Sequence, residues 1–157
     1  MRLLELALAW IGAAVALSAT LLLLDMTDHS WLLASLGGSC VILFGMPAND
    51  MAQPRSFIGG HVIATLTGLA FLRLGLAQFG GSATAWIVAA VATALVLMML
   101  TRTIHSPAGA NPIIVFAEHA DWGFLLAPLA IGLAALFVTA LVINNAQRER
   151  RYPVRWG

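Results

Sequence analysis

The chain has 157 residues, 61% of them hydrophobic and 10% charged, with a mean hydropathy of +0.91. That is more apolar side chain than one water-soluble core of this length can enclose, and it predicts an integral membrane protein. All eight basic residues are arginine and the formal net charge is +1, which excludes the extended basic surface of a nucleic-acid-binding protein.

The first apolar run, Leu6 to Leu24, follows Arg2 and contains the small-residue pattern Ala14-Val15-Ala16, the ingredients of a secretory signal. It continues past that point for long enough to span a bilayer, so it reads as the first transmembrane helix. Next comes a shorter stretch, "WLLASLGGSCVILFGMP" from Trp31, interrupted by glycines; its single cysteine, Cys40, rules out an internal disulfide and reads as a small packing residue. Ser56 to Gly75 and Thr84 to Thr101 are long enough to span. A second short stretch, "PAGANPIIVFA" from Pro107, precedes the fourth long run, Trp122 to Ile143. The arginine-rich tail "QRERRYPVRW" ends the chain.

Laid over one another, Ser35–Gly45 and Pro107–Ala117 match without a gap: Gly37 falls on Gly109, Ser39 on Asn111, Ile42 on Ile114 and Phe44 on Phe116. The same step carries the first long run onto the third and the second onto the fourth. The expected fold is therefore all-α: one transmembrane domain over 1–157, with four long transmembrane helices and two short broken or re-entrant segments. These form a two-fold internal repeat (6–75 and 84–143) ahead of a basic tail (144–157). Such symmetry, with Gly/Pro-interrupted segments at matching places, points to a transporter's binding site.

Two topologies fit this pattern. If the short segments cross, every arginine except Arg73 falls on one side, Trp31, Trp86 and Trp122 share the opposite interface, and the repeat is inverted. If they dip and return, Arg55 and Arg102 move outside with Arg73 inside. The positive-inside rule favours six crossings, and either topology puts both termini in the cytoplasm of what reads as a bacterial plasma membrane protein. About 15 helical residues cover only some 22 Å of a roughly 30 Å hydrocarbon core, so each short segment is expected to be partly non-helical and shielded inside the protein.

Those breaks are candidate sites. Asn111 is a good N-cap residue and Pro112 a favoured first helical residue. A half-helix starting at Gly37-Gly38-Ser39 and another at Gly109-Ala110-Asn111 would aim free N–H groups and partial positive charge at a shared anion site; the same glycines also suit close helix packing alone. Arg55 and Arg102 lie at helix ends, where they either snorkel or line an anion-attracting vestibule. His61, after Gly59-Gly60, and His105 sit where an ionisable side chain marks a candidate site and could couple anion movement to a proton; the alternative is a neutral imidazole bonded to a neighbouring carbonyl.

The clusters Asp25/Asp28/His29 and Glu118/His119/Asp121 lack zinc-type ligand spacing, so no metal and no other cofactor is expected. No serine sits in an elbow motif and Cys40 has no evident base nearby, so the reading is not an enzyme.

At this point "ILFGMPANDMAQPRSFIGGH" (Ile42 to His61) and "RTIHSPAGANPIIVF" (Arg102 to Phe116) carry a resemblance to the HPP family of integral membrane proteins, whose signatures are written AQPR…GGH and HPPAGANP. One departure is visible, Ser106 in place of the first proline. The family resemblance implies a four-helix membrane protein, and plant chloroplast relatives are implicated in nitrite transport. The expected function is therefore a transporter or channel for a small monovalent anion such as nitrite. A non-transporting membrane interaction module or sensor is the alternative. Expected partners are the anion, the lipid bilayer and further copies of the chain.

Overall fold

A computed structural model describes residues 3–24, 30–146 and 151–156. Its described residues form helices joined by short loops. Helix α1 covers Leu3–Leu23 and α2 Ser30–Gly45; a 3-10 turn at Asp50–Ala52 leads into α3, Pro54–Ala70. Pro54 takes the first helical position after an extended Gln53, where its missing N–H costs no bond. A π-helical turn, Phe71–Leu76, and the short α4, Ala77–Phe79, prolong α3 into one span, Pro54–Phe79. Helix α5 is Ala83–Thr101; a 3-10 turn, Ser106–Ala110, runs into α6, Asn111–Ala117. The last span, Trp122–Asn145, starts with 3-10 and π turns, has an extended residue at Ala127 beside Pro128, and ends as α7, Ile131–Asn145.

Four spans are thus long and apolar enough to cross a bilayer: Leu3–Leu23, Pro54–Phe79, Ala83–Thr101 and Trp122–Asn145. Each lies over its sequence-predicted run, with ends that differ by a few residues. Large apolar side chains stand outward on them, such as Trp10, Leu22 and Leu100, the outside-apolar pattern of a surface solvated by lipid tails.

One expected break is absent. Helix α2 runs unbroken through Gly37-Gly38-Ser39. The Ser39 hydroxyl lies 3.0 Å from the Ser35 carbonyl one turn back, so it sits within the helical ladder rather than capping a new helix. The other break is real, because Ser106–Ala110 is a 3-10 turn, but Asn111 does not cap α6. It is already helical and its side chain is engaged elsewhere.

Long-range hydrogen bonds tie segment ends together. Arg55 Nη2 donates to the Thr101 carbonyl at 2.9 Å and Asn144 Nδ2 to the Leu43 carbonyl at 3.0 Å. These bring the start of α3 together with the end of α5, and the end of α2 together with the end of α7. At the far end, Arg73 donates to the Ala120 and His119 carbonyls at 3.0 and 3.1 Å, which ties the end of the α3 span to the end of α6. The end of α2 therefore lies with the start of α3 at the arginine end, and the end of α6 lies with the end of the α3 span at the other. Arg55, Arg102 and Arg155 gather at one end, and Trp31, Trp86 and Trp122 start segments at the other.

The tail packs back at the arginine end. Gln53, 2% exposed, accepts from the Val154 and Arg155 amides at 2.9 and 3.2 Å, and donates to the Pro47 and Asn49 carbonyls at 3.0 and 2.9 Å. The Tyr152 hydroxyl donates to the Ala52 carbonyl at 2.7 Å; burial pushes that phenol's pKa up, so it stays a donor. Gln53→Leu, which keeps the bulk and removes all four bonds, is expected to lower stability by about 1–3 kcal/mol. It should also speed proteolysis at Arg151, read by thermal unfolding and limited trypsin digestion.

Candidate functional site

Two pairs of polar residues are spaced one turn apart on facing helices: Ser35 and Ser39 on α2, His61 and Thr65 on α3. Four-residue spacing puts each pair on one helical face. Between these faces enter His105, from the extended segment after α5, and Asn111, from the first turn of α6. All six side chains are buried: Ser35 is 2% exposed and the other five are 0% exposed.

Glycines make the approach possible. A Cβ on Gly60 would stand 2.8 Å from the Thr103 carbonyl oxygen and 2.8 Å from His105 Cβ, and one on Gly59 would meet Thr103 Cγ2 at 2.8 Å. Gly59-Gly60 thus let the 103–105 segment lie directly on α3. Gly68 does the same for Pro112, whose Cα is 2.8 Å from its Cβ position, and Gly38 packs on Pro107 at 3.2 Å.

The hydrogen bonds form one connected network. Asn111 Nδ2 lies 3.0 Å from His61 Nδ1 and 2.8 Å from Thr65 Oγ1, while Asn111 Oδ1 lies 2.7 Å from Ser35 Oγ. Ser39 Oγ is 2.9 Å from Nε2 of His61 and 2.9 Å from Nε2 of His105. His105 Nδ1 lies 2.8 Å from the Met51 carbonyl. Since a carbonyl only accepts, that nitrogen carries a hydrogen and Nε2 of neutral His105 must accept. Asn111 Nδ2 only donates, so neutral His61 carries its hydrogen on Nε2 and donates to Ser39, whose single hydroxyl hydrogen is shared between His105 Nε2 and the Ser35 carbonyl. Phe57 stands edge-on to both imidazoles, with ring centroids 5.5 and 5.4 Å away, and closes the cluster on its apolar side.

Beyond Met51 a vestibule of about 790 Å³ opens at the arginine end, lined among others by Asn49, Asp50, Met51, Arg55, Arg102 and Arg155. Three arginines face one aspartate there, and Arg155 pairs with Asp50. Arg102 ends α5 in the left-handed conformation, φ 57°, where glycine or asparagine is the usual choice.

The ten sequence candidates therefore separate. Ser39, His61, His105 and Asn111 meet in the buried cluster, while Arg55 and Arg102 line the vestibule outside it. Gly38 is a packing contact, and Ala110 packs against the core at the end of the 3-10 turn. Gly37 and Gly109 have nothing within 4 Å of their Cβ positions, and Gly37 lies inside α2 and starts no half-helix. Side chains fill the place where an anion cradle between those starts was expected. Ser106 is exposed at the first position of its turn, so the departure from the family motif lies outside the buried cluster. Ser35, Thr65, Phe57 and Gln53 were not singled out; for Ser35 and Thr65 the available signal was their four-residue spacing from Ser39 and His61. Of the two acidic clusters, Asp25/Asp28/His29 lies outside the described residues, and no group of three or more potential ligands is brought together among the described ones.

Comparison with known proteins agrees with the motifs. A family model described as the HPP transmembrane region matches residues 1–153. Two transmembrane proteins of Dictyostelium discoideum are similar to the chain. One is 36% identical over 130 residues, covering 80% of this chain and 42% of the relative; the other is 34% identical over 129 residues, covering 80% and 45%. The chain thus spans less than half the length of these relatives. No solved structure matches it.

Proposed function

This chain belongs to the HPP transmembrane family, and on that premise we propose that it moves a small monovalent anion, nitrite first among candidates, through its arginine-lined vestibule. The observation that carries this reading is the vestibule itself: three arginines against one aspartate, directly outside a buried polar cluster at the centre of an apolar bundle. A positive mouth raises the local concentration of anions. Polar and ionisable groups at membrane depth are costly to bury and therefore rare, and where they occur they commonly mark the path of an ion or a proton.

The inverted repeat belongs to this proposal. Its support is the packing: α1 lies on α7 as α5 lies on α3, and Ser35 Oγ lies 3.0 Å from the carbonyl of its counterpart Pro107, a contact between equivalent positions of the kind a two-fold axis produces. Alternating access by rocking one half on the other is the movement such repeats support. Cytoplasmic placement of both termini is the orientation that the arginines at one end favour. A hydrolytic reading has less support: Ser39 lies 2.9 Å from His105 Nε2 but is 0% exposed, which leaves no room for a substrate carbonyl.

The test is uptake of nitrite into proteoliposomes, above the leak of protein-free vesicles, with nitrate, formate and chloride as competitors. Wild type is expected to show saturable uptake. Arg102→Gln is expected to weaken apparent nitrite affinity roughly 10- to 100-fold, the worth of one charge-assisted hydrogen bond of about 1.5–3 kcal/mol. No protein-dependent uptake, together with stoichiometric co-purification of another protein, would favour the interaction module or sensor.

A further inference from the structure

The buried cluster has two hydrogen-bonding arrangements that differ by one proton. In the neutral arrangement Asn111 Nδ2 donates to His61 Nδ1, His61 Nε2–H donates to Ser39, and the Ser39 hydroxyl donates to His105 Nε2. His105 Nδ1–H donates to the Met51 carbonyl. Rotating the Asn111 amide by half a turn exchanges its oxygen and nitrogen. The oxygen then faces His61 Nδ1 and Thr65, and the nitrogen faces Ser35. Ser35 accepts from it and turns its own hydrogen to the Pro107 carbonyl, already 3.0 Å away. Thr65 donates to the amide oxygen. In this arrangement His61 Nδ1 must carry a hydrogen, while Nε2–H still donates to Ser39, whose own hydrogen is shared between His105 Nε2 and the Ser35 carbonyl. Both nitrogens of His61 are then protonated; His61, Thr65 and Ser35 each keep Asn111 as a neighbour, while one of the two Asn111 N–H groups gives up its acceptor.

We propose that His61, Ser39, His105 and Asn111 form a one-proton site, charged by the Asn111 amide flip and filled when a monovalent anion occupies the arginine vestibule. The proposal rests on the anion-transport reading and adds its coupling: one proton is taken up with each anion, onto His61 Nδ1, and released when the anion leaves. No bond other than N–H is made or broken, and solvent supplies the proton.

The linkage has an electrostatic reason. The imidazoles bond to Ser39, Asn111 and the Met51 carbonyl, with no carboxylate among these partners. On the elements around them, the nearer titratable or charged groups are Cys40, Asp50, Arg55 and Arg102. Arg73, Glu118 and Asp121 stand towards the tryptophan end. An imidazolium in this position lacks a paired negative charge, because Asp50 is taken by Arg155. An anion held by Arg55 and Arg102 supplies one, so each ligand favours the other by the same factor.

The experiment uses the full chain in detergent, in weak buffer with a pH indicator, titrated with sodium nitrite between about pH 5 and 8. Wild type is expected to take up as much as one proton per nitrite bound. Where the free cluster is neutral and the anion-bound cluster is protonated, apparent affinity should rise about tenfold per unit fall in pH. His61→Gln, whose amide can bond on both sides, should bind nitrite without proton uptake and with no such slope; Ser39→Ala should shift the slope to lower pH. Nitrogen-15 histidine spectra of wild type should show His61 passing from one protonated nitrogen to two on nitrite addition. Nitrite binding without proton uptake, or with undiminished uptake in His61→Gln, overturns this proposal and leaves the transport reading standing. Nitrite that does not bind at all overturns both.

Discussion

Asn111→Leu should abolish anion flux and destabilise the protein by roughly 2–4 kcal/mol, the cost of leaving several buried polar groups without a partner. The side chain is 0% exposed and joins Ser35, His61 and Thr65 from two other helices. Leucine keeps the volume and satisfies none of the three. In water-soluble proteins each orphaned partner would cost about 1–3 kcal/mol. Hydrogen bonds in membrane bundles average only about 0.6 kcal/mol and reach about 1.7, because the unfolded chain in lipid also finds partners, so the lower total is the better figure. The functional loss should exceed what stability explains, since His61 loses the group that sets its tautomer. Thermal unfolding in detergent reads the first effect. Flux from matched amounts of folded protein reads the second.

Gly60→Ala should produce a loss of comparable kind by a different route. Its new methyl would meet the Thr103 carbonyl oxygen and His105 Cβ, both at 2.8 Å. Backbone cannot swing aside as a long side chain can, so the 103–105 segment must move away from α3. Overpacking of this sort costs about 1–3 kcal/mol, and it should lengthen the 2.9 Å contact between His105 and Ser39. Gly109→Ala and Gly37→Ala are the matched controls, because nothing lies within 4 Å of either Cβ position. At Gly37, inside α2, alanine should even stabilise by about 0.5–1 kcal/mol. Comparing the three variants by melting temperature and flux separates glycines that admit a neighbouring backbone from glycines that merely lie beside the site.

That contrast also shows what was readable from the chain alone. Long apolar runs announce themselves, because spanning length and hydrophobicity are local properties; the four spans differ from their predicted bounds by only a few residues at the ends. Arginine and tryptophan placement bears on the direction of the short segments, because the positive-inside preference is additive along the chain. Whether "LGGSC" breaks a helix is a different kind of question. Glycine permits a break without requiring one: α2 stays helical, and its Gly38 serves instead for close approach to Pro107. Asn111 has the same ambiguity: it suits a cap, but three tertiary partners outcompete the local N–H groups. His61 and His105 were found because ionisable groups at membrane depth are rare. Ser35 and Thr65 were missed because hydroxyls in apolar helices commonly bond their own backbone, as Thr67 does to the Ile63 carbonyl at 2.7 Å. Only the meeting of two helices shows which hydroxyls do more.

Equilibrium exchange of isotope-labelled nitrite tests the central claim most directly. Proteoliposomes are prepared with equal nitrite and equal pH on both sides, so that no gradient drives net flow and leak is set by protein-free vesicles. Wild-type protein is predicted to speed the exchange, with saturation as nitrite rises and with Asn111→Leu reduced to the leak rate. Exchange by folded wild type no faster than that of protein-free vesicles would contradict nitrite transport through the arginine vestibule.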